Sequence, residues 1–316
     1  MLSTATALVL ATRLAWGQAA LPQLIRQVPD GAMEVPPIGD VIETPVEPYD
    51  PFEPEGLIPR GPYKGRQVDT SVKRTIKVLT DEEAAGYGLP PGERYVANFL
   101  HADKWWIAHI PRGGVAEVIV QDEAAPGSLG HGQMRLQMKP DAPVTLVPQL
   151  VGSADKPVEL FDFAWTAWGT PPKDYTGKIS SLDFVKKTIT GGLEQFIITY
   201  RMISLEQDLR IMRTGGKLNS CRQFKLQLSD AEKNRVLDRA IEFGDSKGMD
   251  EMFSLLTRSC VSELFYVIDT VLDDGHRPLH HKIFRHLPIA IPEYLKLRGL
   301  IKPGVEIQNM REEFPD

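Results

Sequence analysis

The stretch with the clearest chemical content runs from Leu256 to Ile268. Val261, Leu264, Phe265, Ile268 and Leu272 recur there at helical spacing. Ser259 stands where an N-cap belongs, its hydroxyl placed to accept from a first-turn amide. The pattern predicts a helix whose first turn carries Cys260. Unpaired backbone N–H groups and the positive end of the helix dipole meet there, and both favour a thiolate, the form that attacks carbonyl carbon. The competing reading is a buried cysteine acting as a small hydrophobe.

Composition narrows the alternatives. The chain has 316 residues and a formal net charge of -6, so it carries no basic footprint for nucleic acid. Beyond the N-terminus no apolar run approaches the roughly 18 residues of a membrane span. No Gly-x-x-x-x-Gly-Lys pattern exists, and Gly191-Gly192 reads as a turn, so no nucleotide or other cofactor is expected. His276, His280, His281 and His286 read as a solvated basic face, and no metal is expected. Glu206 and Asp208 read as a charged strand entry.

The elements that must position Cys260 read as follows. Residues 1–20 resemble a secretory signal, with an apolar Leu2–Thr12 and small residues for cleavage around Ala15 to Ala19. Residues 21–70 are rich in proline and acid and read as an extended linker, or a strap over the domain surface. Order is expected from about Ser71, giving one domain over 71–316. Strands are expected at 75–79, 94–100, 105–110, 115–120, 131–138, 160–168, 196–202 and 224–229, with a helix at 181–188. In the strand that opens at His131, residues 131, 133 and 135 share one face while Met134 and Leu136 share the other. Ser229 and Glu232 form a capping box for a helix that Gly244 should stop. Strands first and helices after, with antiparallel links, predict an α+β domain: an antiparallel sheet with packed helices.

Several segments together resemble the Lnb N-terminal periplasmic domain family, a domain of unknown function. Gly130-His131-Gly-Gln-Met-Arg135 is similar to its Gly-His-x-x-x-Arg strand, and Phe163–Gly169 to its aromatic, small-residue strand. Gly191-Gly192, Tyr200 with Glu206-Gln-Asp208-Leu209, Ser229-x-x-Glu232 and Pro292–Leu300 follow in the family's order. Ser259-Cys260 stands where the family has Asn-Cys. The resemblance covers about residues 95 to 305 and implies a circularly permuted papain-like fold of the NlpC type. It implies His131 as general base and Cys260 as nucleophile. A third group on the neighbouring strand must orient the imidazole. Asp162 and Thr166 share a face there, and Asp162 is preferred because a carboxylate also stabilises an imidazolium. Arg135 is expected to be structural or to contact a substrate carboxylate, and Ser259 to cap the helix beside the substrate.

The expected function is therefore that of a cysteine hydrolase or acyl transferase, periplasmic or secreted, acting on an amide, peptide or ester bond in the cell envelope. The alternative is a non-catalytic accessory domain that binds a partner protein or glycan on the same fold. Cys221 and Cys260 are expected to stay reduced, since a chain of this length needs no staple. If the N-terminal reading holds, the intact mass of protein from its native host will match a chain starting near residue 18 to 21. A full-length chain in the cytosolic fraction would contradict it.

Overall fold

Alternating apolar and polar residues write most of the strands, and in the computed structural model these pair into one large sheet. Residues 49–124, 130–176, 194–214, 216–254, 257–272, 291–302 and 308–315 are described, all within the unit Val46–Asp316. The first elements are β1 (Lys77–Val78), α1 (Asp81–Gly86), β2 (Tyr95–His101), β3 (Lys104–His109), β4 (Val115–Ala124) and β5 (His131–Met138). There follow β6 (Val144–Pro148), β7 (Val158–Leu160), β8 (Asp162–Thr170), β9 (Glu194–Ser204) and α2 (Leu205–Ile211). Next are β10 (Arg213–Thr214), β11 (Lys217–Leu218), β12 (Ser220–Lys225), α3 (Asp230–Lys247) and β13 (Met252–Ser254). The last are α4 (Cys260–Val271), α5 (Ile291–Leu297) and α6 (Met310–Glu313).

The strand order is β12-β4-β5-β8-β9-β2-β3-β6-β7, with β1 added on β2 and β13 on β9. Among the described residues only the β2–β9 pair is parallel. The architecture is thus mixed α+β, with a large, mostly antiparallel sheet and few helices. Among the described residues no helix is long and apolar enough to cross a membrane.

The two faces of the sheet differ in chemistry. Met134, Leu136, Phe163 and Trp165 are buried in the apolar core with Val261, Leu264, Phe265 and Ile268 of α4. Each side chain of this kind stabilises the fold by roughly 1.5–3 kcal/mol when fully buried. Gln133 and Arg135 point to the other side and bond to Asp208 of α2 and Glu313 of α6. This is the alternation expected for the strand that opens at His131.

Three boundaries differ from expectation. Packed structure is already present ahead of Ser71: Phe52 and Ile58 are buried, and Tyr49 bridges to Val151. Arg74 also pairs with Asp50 and Glu53, and Arg66 with Asp174, so this proline-rich part is a strap held by apolar anchors and ion pairs. The strand expected at 224–229 lies earlier, as β12, and ends at Lys225, ahead of Ser229, which caps α3. Gly244 does not stop that helix. It lies inside α3, which ends at Gly248 with φ 55°. The helix expected at 181–188, Gly191-Gly192, the N-terminal segment and the His276–His286 cluster lie outside the described residues.

Gly244 has a packing reason. A Cβ there would come within 2.8 Å of Ile76 Cγ1 and Cδ1 and 3.2 Å of Tyr200 Cβ. In a helix interior Gly→Ala normally stabilises by about 1 kcal/mol. The clash outweighs that gain, because overpacking typically costs about 1–3 kcal/mol. Gly244→Ala is therefore expected to lower the urea midpoint without changing the slope. A raised midpoint would refute this packing account.

Candidate active site

Cys260 occupies the first turn of α4. Ser259 caps the helix from extended backbone, and its hydroxyl accepts the Ser262 N–H at 3.3 Å. The Ser262 hydroxyl returns the bond by accepting the Ser259 N–H at 2.6 Å. The capping box works with a serine where Glu or Gln is usual. Ser259 is 1% exposed and occupied in capping, so the substrate contact expected of it has no exposed surface to act through.

The Ser262 and Glu263 amides go to Ser259. The N–H groups of Cys260 and Val261 are left to favour charge on the sulfur, and the Gly132 N–H adds a third from β5. Burial outweighs all three and holds the thiol above its ordinary value. The thiolate expected at a helix N-terminus is therefore not the resting form. Cys221, in β12, is also a free thiol, pushed up by burial and by the carboxylates of Glu123, Asp208 and Asp122.

Gly132 explains how the helix reaches the strand. A Cβ at this position would lie 2.9 Å from Val261 Cγ2 and 3.2 Å from Ile291 Cδ1. Without a side chain there, the first turn of α4 settles directly on β5, beside His131. The His131 ring is half-buried. Its Nε2 lies 2.9 Å from Thr166 Oγ1, and its centroid lies 4.4 Å from that of Trp168. When Nε2–H donates to Thr166, the ring's lone pair lies on Nδ1. Burial, then the nearby Arg201 charge, push the imidazole down to about 4, although a Gln133 hydrogen bond works the other way. His131 is thus neutral at pH 7. Cys260 and His131 are neighbours through Gly132, and no hydrogen bond joins the sulfur to the ring in the resting structure.

Of the two residues expected to orient the imidazole, Thr166 is in contact and the preferred Asp162 is not. Asp162 sits four residues away along β8 and accepts from Arg135 Nε at 2.9 Å. Arg135 is 2% exposed and also donates to Gln223 Oε1 at 3.1 Å and Glu313 Oε2 at 2.8 Å. Two carboxylates occupy the guanidinium, so Arg135 ties β5, β8, β12 and α6 together and is not open to a substrate.

This bond network continues along the polar face. Gln121 donates to Gln223 at 3.0 Å, and Gln133 donates to Gln121 at 2.9 Å and to Asp208 at 2.6 Å. Asp208 lies in α2, with Ser204 as its N-cap, where a strand entry was expected. Burial pushes its carboxyl up to about 7. Arg201 of β9, Lys73 and Trp168 complete the surroundings of His131. Sequence reasoning misses Arg201 and Lys73 because neither belongs to a motif; only the pairing of Arg201 with Thr166 across β8 and β9 brings them in.

Comparison with protein-family models, with curated proteins and with solved structures found no match for this chain.

Two buried groups titrate with opposite signs. His131 is depressed from 6.5 to about 4, so its contribution to stability is present above 6.5 and is lost as pH falls through about 4. Asp208 is raised from 3.8 to about 7, so its contribution is present below 3.8 and is lost as pH rises through about 7. Asp208→Asn keeps an acceptor for Gln133 and removes the second effect. Urea unfolding should find this variant gaining on the wild type between about pH 4 and 7, by up to a few kcal/mol, since each tenfold change in proton affinity between folded and unfolded chains is worth about 1.4 kcal/mol. Parallel pH profiles for the two proteins would rule out a protonated Asp208 in the fold.

Proposed function

We propose that this protein is an exported cysteine hydrolase or acyl transferase acting on an amide, peptide or ester bond of the cell envelope. One observation carries the reading. A sulfur in the first turn of a helix lies under the Gly132 N–H, next in the chain to a histidine whose Nε2 is held by Thr166. The order of a histidine strand before a cysteine helix, with an antiparallel sheet between them, supports a circularly permuted papain-like fold akin to the Lnb N-terminal periplasmic domain family. The apolar Leu2–Thr12 segment supports export.

The chemistry starts from a neutral pair. Gly132 faces α4 and the His131 side chain faces the other side of β5. On this reading the ring reaches the sulfur around the end of β5, where His131 is the first strand residue. Its lone pair takes the thiol proton as the Cys260 sulfur attacks the carbonyl carbon. Oxygen takes up the negative charge, and the Cys260 and Val261 N–H groups in the first turn of α4 are its natural donors. The imidazolium then gives its proton to the departing amine or alcohol, leaving a thioester on Cys260. Water, or an acceptor amine or alcohol, attacks the thioester with His131 again as base, and the thiol is restored. Thr166 holds the ring throughout. A second reading is favoured by a separate observation: the thiol is held above its ordinary value and is not bonded to the imidazole. On that reading the domain binds a partner protein or glycan without catalysis.

Turnover of a p-nitrophenyl acyl ester and a peptide amide by the full chain tests the proposal. Cys260→Ala should abolish turnover, and His131→Ala should lower kcat by about 10²–10⁴-fold. The double variant should fall no further than Cys260→Ala, because the two act as a unit. In the wild type kcat/KM should rise through about pH 4, as His131 loses its proton, and stay level across neutral pH. Thr166→Val should lower kcat less than His131→Ala does. Mass spectrometry should find the acyl group on Cys260. Full turnover by Cys260→Ala would overturn the cysteine mechanism, and no turnover of either substrate by the wild type would leave the binding reading.

A further inference from the structure

Beside the face of the sheet that carries His131 stand two cations that make no ion pair among the described residues. Arg201 stands on β9 directly across from Thr166, the residue that holds the imidazole. It is 4% exposed, its Nη2 donates to the Val72 carbonyl at 3.2 Å, and its Nε has no hydrogen-bond partner. Lys73 Nζ lies 5.5 Å from the centre of the Trp168 ring, and that ring lies against His131. Among the described residues neither cation is ion-paired. Thr166 and Trp168 thus flank His131, Arg201 stands across from Thr166 and Lys73 lies over Trp168; Thr166 and Arg201 are buried and the other three are half-open to solvent.

The other deep arginines of this fold provide the comparison. Arg135 meets Asp162 and Glu313, Arg74 meets Asp50, and Arg94 meets Asp238. Asp208 is the acid whose charge reaches Arg201, and it is committed to Gln133. Asp69, the acid that reaches Lys73, is bonded to Ser71. Buried donors are satisfied in native proteins, and a lasting exception calls for an explanation. Arg201 Nε shares that state with Trp165 Nε1 and Arg239 Nε among the described residues. It differs from Arg239, which is ion-paired to Glu242, in having no ion-pair partner, and it stands on the strand beside the general-base candidate's Thr166.

We propose that Arg201 and Lys73 form an oxyanion subsite beside His131, taking a carboxylate or phosphate group of the molecule on which the protein acts. Calling that molecule a substrate rests on the hydrolase reading; the anion site itself does not. A planar guanidinium edge and a mobile ammonium suit either anion. The subsite also relieves a repulsion already present. Arg201 pulls Lys73 down, after burial, to about 8, and it lowers His131. A bound anion reverses both effects, while Asp208 and Asp69 stay occupied with Gln133 and Ser71.

Calorimetric titration of the full chain with inorganic phosphate, and separately with acetate, tests the subsite. At least one should bind saturably at one site, and preference for one identifies the substrate group as phosphate or carboxylate. Lys73→Gln, a half-exposed position whose change leaves the core alone, should weaken binding by about tenfold or more, the worth of a charged hydrogen bond. Arg201→Gln should weaken it further if the variant folds. NMR titration of the His131 ring gives a second readout: the bound anion should raise its midpoint by about one pH unit, as an opposite charge at close range does. Saturation by neither anion, equal affinity in Lys73→Gln, or an unmoved His131 midpoint would each overturn the subsite. Anion binding alongside full turnover by Cys260→Ala, or with no turnover by the wild type, would leave the subsite standing and remove the cysteine hydrolase reading. Turnover that depends on Cys260 without anion binding would do the reverse.

Discussion

A helix can bring its first turn onto a strand only where the strand has no side chain in the way. Gly132 supplies that gap. Any Cβ there would press into Val261 and Ile291, and α4 would have to retreat from β5. The close approach places three things together: the Cys260 sulfur, an N–H from a second element, and the chain neighbour His131. It also creates the burial that holds the thiol in its neutral form. One geometric constraint thus sets both where the sulfur sits and how it titrates.

The same alternation that points Gly132 at α4 points His131, Gln133 and Arg135 at the opposite face. That face is polar yet mostly buried, so every group on it must find a partner or carry a desolvation cost. Most do. Arg135, Gln133, Gln121, Gln223, Asp208 and Glu313 form one connected set spanning β12, β4, β5, α2 and α6. Such a set holds the His131 end of β5 rigidly against its neighbours. It also explains why Asp162 and Arg135, which look like site residues in the chain, are bound to each other.

Much of this is legible in the chain. Ser259 as a cap, the helix behind Cys260, the capping box at Ser229, the alternation of β5 and the mixed α+β class rest on local spacing, and local spacing survives folding. Thr166 is legible as one of two candidates, since the face it shares is fixed by strand parity. What parity cannot decide is register. Met134 opposite Trp165 puts Thr166, not Asp162, within reach of His131, and register is a long-range property. The titration of Cys260 departs from expectation for a related reason. The helix terminus acts locally and shows in the spacing, whereas burial comes from α5 and β5, distant in sequence, and is the larger effect. Arg201 and Lys73 have no local signature at all.

On the proposed hydrolase reading, the charges around His131 set how well it could act as a base. A general base works best when its pKa lies near the working pH, and an imidazole held at about 4 is a weak base for a thiol raised above its ordinary value. The resting site is therefore poorly matched for proton transfer, and the cause can be named. Burial accounts for the larger part and Arg201 for the next. Burial is fixed by the fold, but the Arg201 charge can be neutralised by an incoming anion. An oxyanion on Arg201 and Lys73 would raise the basicity of His131 at the moment a substrate arrives. The unpartnered guanidinium edge then has a role in selectivity as well as in binding, because a molecule without the anionic group would meet a weaker base. The polar face becomes a second half of the site, joined to the sulfur through the single residue Gly132.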